Sequence, residues 1–149
     1  MSAAALIAAL DEAKGLAARG EPAPETVTLL VLRILTEASD TPAVLDALRG
    51  ASDGRALLHV TDGARAIEFQ AGDGKLFALC ADPKGQGPKV DATAATWLGL
   101  LGGTLKPWLA FTRGMIVCRA GITELRWMQQ TAERLQRGYE EARRLGSAQ

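Results

Sequence analysis

The sequence has a single histidine, His59, and only two cysteines, Cys80 and Cys118, in 149 residues. A Ser-His-Asp or Cys-His nucleophilic site would have to use His59, and nothing in the spacing brings either cysteine to it. One histidine and two cysteines outside any CxxC spacing also speak against a structural or catalytic zinc site. The cysteines read as reduced, buried thiols of a cytoplasmic protein. Net charge is missing too: 17 basic residues balance 17 acidic ones, so bulk charge holds neither nucleic acid nor an anionic membrane. No apolar run reaches the ~18 residues of a membrane span. Arg33 interrupts the longest, and stable membrane insertion is not expected. The opening Met-Ser-Ala-Ala-Ala-Leu lacks the basic start of a signal peptide, and Gln149 closes the chain without a peroxisomal Ser-Lys-Leu address. Paired carboxylates are also absent, since Asp46, Asp62, Asp82 and Asp91 each have a local explanation as turn or cap residues. The glycine-rich stretches ending in Lys89 and Lys106 lack the spacing of a phosphate-cradling loop. Neither metal nor cofactor is expected.

What is present is aliphatic. Hydrophobic residues make up 48% of the chain and aromatics only 5%. A chain of this length buries roughly two thirds of its unfolded surface, enough for an alanine-rich core without staples. Ser2 is placed to cap a first helix with Leu6, Leu10, Ala13 and Ala17 on one stripe, ending at Gly20. Glu21-Pro22-Ala23-Pro24 breaks the chain. Pro24 sits in the first turn of a second helix, Val27 to Ala38, which is apolar on nearly every side and needs cover on more than one face. Thr41-Pro42 starts a third helix with Val44, Leu45 and Leu48, closed by Gly50. Residues 1–50 thus read as an N-terminal helical extension to a domain over 51–149.

At Gly54 the period changes from helix to strand. Ala56 to Val60, Arg65 to Gln70 and Lys75 to Ala81 are short strand-like runs, separated by Thr61-Asp62-Gly63 and Gly72-Asp73-Gly74, both hairpin signals. In the second run Ile67 and Phe69 alternate with Glu68 and Gln70, so one face meets water. The third, Leu76 to Cys80, is apolar on both faces and is expected to be a central strand covered on both sides. Val90 marks a fourth short strand.

The chain is organised around the stretch from Asp91 to Met128. It holds a strand end, an apolar helix from Thr93 to Leu101, the stop Gly102-Gly103 and a turn of helix started by Pro107. An apolar strand from Met115 to Arg119 follows, and a long closing helix begins near Ile122. That helix carries Leu125, Met128, Ala132 and Leu135 on one stripe, with Glu133–Arg137 and Glu140–Arg144 spaced to pair on its outer face. Gly138 weakens it, and its last turns are expected to fray. Laid over a strand with glycine corners, these elements bury more apolar surface than a core of this size needs.

The strand order and the joint spacing of Asp91, Gly103, Leu105, Ala110, Gly114 and Gly121 resemble the sterol carrier protein-2 domain, over about Gly54 to Leu135. The resemblance leaves the N-terminal helices outside. It implies an α+β fold: a five-stranded, mainly antiparallel sheet covered by helices, with an apolar tunnel between them. It implies non-enzymatic binding or transfer of a small hydrophobic ligand (fatty acid, fatty acyl-CoA or sterol-like), with no catalytic residue. On this reading the tunnel is walled by Phe69, Leu79, Trp97, Leu98, Leu101, Leu105, Trp108, Phe111, Ile116, Cys118, Leu125 and Met128. Arg113, beside Gly114 at the implied tunnel end, is placed to pair with a carboxylate or phosphate headgroup. Such a pocket needs no chemistry to bind, because each buried CH2 contributes ~0.8 kcal/mol.

Besides the missing peroxisomal address, two departures from the family pattern matter. Met115 and Val117 stand where the family's final strand usually exposes lysines, so they call for a cover, either the N-terminal helices or a homodimer partner. Ala120 lengthens the corner before Gly121 by one residue. The same apolar residues also suit two other readings. One is a structural domain with a filled cavity that pairs with itself or another subunit. The other is an enzyme that reuses the pocket, with His59, Cys118 or Arg113 orienting a hydrophobic substrate.

Overall fold

The computed structural model describes residues 3–20 and 22–147. Three helices lead: α1 (Ala4–Ala18), α2 (Pro24–Ala38) and α3 (Pro42–Ala47). Pro24 and Pro42 each stand in the first turn of their helix, where the missing N–H would have no partner anyway. The Ser2 cap lies outside the described residues. Leu6, Leu10 and Ala13 are buried along α1, while Ala17 in its last turn is exposed. The apolar breadth of α2 is used on two sides, against α1 and α4 and against the sheet.

Five strands form one sheet in the order β3-β2-β1-β4-β5: β1 (Gly54–Val60), β2 (Ala66–Gly72), β3 (Lys75–Ala81), β4 (Lys89–Ala92) and β5 (Ile116–Arg119). Among the described residues only the β1–β4 pair is parallel. The Asp-Gly corners supply the left-handed residues that tight turns need, at Asp62 (φ 69°) and Gly74 (φ 68°). Register sorts the side chains by face. Ala56 lies opposite Phe69, Leu58 opposite both Ile67 and Val90, Ala78 opposite Phe69, and Cys118 opposite Val90. One face of the sheet is therefore apolar from edge to edge. The other carries Arg55, His59, Glu68, Gln70, Lys89, Asp91 and Arg119.

The expectation for β3 is corrected here. It is an edge strand, and its outward residues Phe77 and Leu79 are 53% and 39% exposed. A doubly apolar run fits a central strand by composition, but here α2 covers its inner face alone, and among the described residues no element lies over the outer one.

Helices α4 (Ala94–Leu101), α5 (Pro107–Thr112) and α6 (Ile122–Ser147) complete the cover of the apolar face. Thr93 caps α4 by accepting the Thr96 N–H at 3.2 Å, and Glu124 accepts the Gly121 N–H at 2.8 Å to close the start of α6. On α6, Arg144 donates to Glu141 at 2.9 Å and not to the expected Glu140. The N-terminal helices share one hydrophobic core with the sheet and with α4 and α6. They lie over the inner face, so they do not cover Met115 and Val117, which are 39% and 52% exposed. No helix among the described residues is long and apolar enough to cross a membrane.

Nor does Gly138 loosen α6, which continues to Ser147. It is a point of close approach: a Cβ there would lie 2.9 Å from Val44 Cα and 3.3 Å from Ala47 Cβ on α3. Helix propensity favours Gly138→Ala by about 1 kcal/mol, while forcing a methyl into packed backbone costs about 1–3 kcal/mol. The clash is with backbone, so it wins. Gly138→Ala is expected to lower the denaturant midpoint, and an unchanged or raised midpoint would show that α3 yields freely.

Candidate functional site

The inner face of the sheet carries short side chains, Ala56 on the central β1 and Cys118 on β5 among them, so whatever covers it must reach down or leave space. α6 meets the sheet through Trp127, against Gly54 and Phe69, and is held at the margins of that face. Trp127 donates its indole N–H to the Ser52 carbonyl at 2.7 Å, and Gln136 donates to the Leu100 carbonyl at 2.7 Å. Arg134 donates to the carbonyls of Ala47 and Arg49 at 3.1 and 2.9 Å. On the opposite wall Trp97 is fixed by donating to the His59 carbonyl at 3.0 Å. Between these supports lies a cavity of about 520 Å3. Its floor is Ala56, Leu58, Phe69, Val90, Ile116 and Cys118, and its walls are Val31 and Leu35 of α2, Trp97, Leu100 and Leu101 of α4, Pro107, Trp108 and Phe111 around α5, and one side of α6 from Ile122 to Tyr139. Phe69 and Trp127 meet with ring centroids 6.1 Å apart. The lining runs out to the surface through Trp108, Phe111 and Ile122, which are largely exposed.

Of the residues expected to wall an apolar site, the cavity brings together Phe69, Trp97, Leu101, Trp108, Phe111, Ile116, Cys118, Leu125 and Met128. Four lie elsewhere. Leu79 points to the outer face of the sheet, a consequence of β3 alternation. Leu98 is fully buried in the core, away from the cavity. Leu105 packs on Gly99. Arg113 is the exposed C-cap of α5, and the arginine that lines the cavity is Arg126. Sequence reasoning missed the α2 residues and the lower half of α6. The α6 stripe did carry a signal, since the spacing of Leu125, Met128, Ala132 and Leu135 continues to Tyr139.

His59 is on the outer face, its Nδ1 2.6 Å from Asp91 Oδ1 and its Nε2 2.8 Å from the Gly63 carbonyl. It ties the β1–β2 turn to β4. Both cysteines project from the inner face, so the sheet separates them from the histidine. Among the described residues no group of three or more His, Cys, Asp or Glu side chains could hold a metal ion. Burial pushes the Cys118 thiol up, and the Asp91 carboxylate pushes it further in the same direction. A raised thiol is protonated at neutral pH and a poor nucleophile. In a Cys80→Ser protein, Cys118 should titrate with a midpoint above the ordinary 9.0, read by thiolate absorbance. A midpoint at or below that value would mean the thiol is neither desolvated nor near a carboxylate.

No family model and no curated protein matches the sequence. Solved structures do. The crystal structure of sterol carrier protein 2 is 21% identical over 78% of this chain and 95% of its own, with a TM-score of 0.55. The solution structure of a conserved hypothetical protein from Thermus thermophilus, a sterol carrier protein candidate, is 20% identical over 83% of this chain and 91% of its own, with a TM-score of 0.52. Both matches cover more of the chain than residues 51–149 can supply, so they take in part of the N-terminal helices that the sequence resemblance left out. With helices laid over one apolar face of a five-stranded sheet ordered β3-β2-β1-β4-β5, the chain has the fold of sterol carrier protein 2.

Proposed function

We propose that the protein binds a lipid in the cavity between the sheet and α4, α5 and α6 and carries it without chemical change. The observation that supports this most is the lining: about 520 Å3 of space enclosed almost wholly by aliphatic and aromatic side chains, within the usual range of ligand pockets. The space opens at Trp108, Phe111 and Ile122, so water can enter it, but its apolar walls hold that water poorly. Ordered water needs two to four polar partners apiece, and this lining offers few. An apolar guest resolves the conflict, gaining ~0.8 kcal/mol for each buried CH2. The likeness in fold to a sterol carrier protein supports the same reading. The cavity then forms the inner part of an apolar tunnel, rimmed by Trp108, Phe111 and Ile122, through which the guest enters.

Native mass spectrometry of freshly purified protein should show a discrete added mass that extracts into organic solvent. Filling the floor-facing stripe of α6 with Ala132→Phe should weaken binding of a fluorescent acyl chain about tenfold or more with the melting temperature retained. A variant that binds like the wild type would place the lipid elsewhere or remove it altogether.

Self-association is a second reading, supported by one feature. β5 is an edge strand, and Val117 on it and Met115 just before it are exposed, with Ile116 between them. Uncovered apolar edges favour pairing with another strand. Sedimentation over a wide concentration range should then show a dimer that Val117→Lys dissociates. A monomer at every concentration rules this reading out.

A further inference from the structure

We propose that the inner end of the cavity holds an uncharged hydroxyl or carbonyl group of the guest, hydrogen-bonded by Thr131 and Tyr139 of α6. This rests on the lipid reading above and adds which end of the guest enters first and what that end carries. Thr131 is 3% exposed and Tyr139 6% exposed, and both are in the cavity lining. Among the described residues, every side-chain oxygen or nitrogen sealed from solvent and cavity has a hydrogen-bond partner. Neither of these two hydroxyls has a partner among those residues. Their oxygens therefore keep some accessible surface, and the space that both residues line is the cavity. A hydroxyl that opens onto so apolar a space has few partners within it, so a polar group of a guest that meets it makes a hydrogen bond otherwise missing there.

Thr131, Leu135 and Tyr139 recur every four residues, so they share one stripe of α6. Eight residues separate the two hydroxyl-bearing positions by about 12 Å along the helix axis. The tyrosine side chain leans back toward the helix start and narrows that gap. Each hydroxyl donates and accepts, so either serves an alcohol or a ketone.

The charge distribution excludes an ion at this end. Among the described residues Arg126 is the only charged one in the lining, and it stands on the exposed first turns of α6. That is about 20 Å of helix from Tyr139. A carboxylate driven inward would lose its water and meet no cation. It would bind head-outward beside Arg126. The guest class that satisfies both ends is thus a long apolar body with a neutral hydroxyl or carbonyl terminus.

The test uses delipidated full-length protein and displacement of a fluorescent acyl probe by dodecanol, dodecane and ionised dodecanoate. Thr131→Val and Tyr139→Phe should each weaken dodecanol about two- to tenfold, the value of one hydrogen bond, and leave dodecane unchanged. Dodecanoate should be indifferent to both and sensitive to Arg126→Gln. Alcohol and alkane shifting in parallel would overturn the inference while leaving the lipid site intact. If none of the three displaces the probe from the wild type, the lipid reading fails and takes this one with it. A measurement without any variant gives the same decision. A methyl ketone of the same chain length, bound to wild-type protein, should show its infrared carbonyl band below its position in alkane solvent. An unshifted band means no donor reaches it.

Discussion

The cavity depends on α6 being fastened to backbone carbonyls at its margins, with Trp127 resting on the sheet at Gly54 and Phe69. Trp127, Arg134 and Gln136 each donate to a carbonyl of a different segment: Ser52 before β1, Ala47 and Arg49 at the end of α3, and Leu100 at the end of α4. Carbonyls at helix ends and in loops lack intrahelical partners, so these donors meet an existing need. Collapse of α6 onto Ala56 and Cys118 would fill the void but strip partners from every one of those groups. Net, a single such bond contributes about 1 kcal/mol, and the part-buried ones to Ala47 and Leu100 are those that water replaces least well. The same logic explains two glycines. Gly138 lets α6 touch the backbone of α3, and Gly54 leaves room for the Trp127 ring, which a Cβ there would approach to 2.2 Å. Contacts that are tight at the supports keep the space between them open.

Much of the fold was legible because it rests on local chemistry. Pro24, Pro42 and Pro107 announced helix starts, Asp62-Gly63 and Asp73-Gly74 announced corners, and the alternation around Ile67 and Phe69 announced a half-wet strand. The joint spacing from Asp91 to Gly121 carried the fold class. What was not legible depends on which elements meet. The run from Leu76 to Cys80 reads identically for a central and an edge strand, because composition does not say what lies over the outer face. Leu79 was misplaced for that reason. Gly138 read as a weakness since its value lies in Val44 across the interface, and no periodicity within α6 reports that neighbour. Arg126 and Arg113 could not be ranked without knowing that α6, and not the α5 cap, lines the opening.

The N-terminal helices show the same limit at larger scale. As sequence they are an appendage, three short amphipathic or apolar helices before the strands begin. In the structure Val31 and Leu35 of α2 close one side of the cavity, and Leu6, Leu10 and Ala13 of α1 join the common core. α2 is apolar over a broad arc, and its position between α1, α4 and the sheet buries Val27, Leu30, Val31, Ile34 and Leu35 while Leu29 and Arg33 face outward. Only that placement makes sense of its sequence.

Affinity and selectivity in such a site come from different atoms. The walls attract any chain in proportion to the area it removes from water, a non-directional term blind to chemical identity. They cannot distinguish one methylene-rich molecule from another by more than a small factor. Discrimination has to come from the few polar groups, and their effect grows with the apolarity around them, because an unmatched donor or acceptor has no water to turn to. Tyr139 is the extreme case. Burial holds its phenol well above the ordinary value, so it remains a neutral donor and acceptor throughout the physiological range. A nearly all-apolar cavity with a phenol and a hydroxyl toward one end and, among the described residues, a single arginine near the other is therefore polarised along its length, and the proposed orientation of a guest rests on that asymmetry.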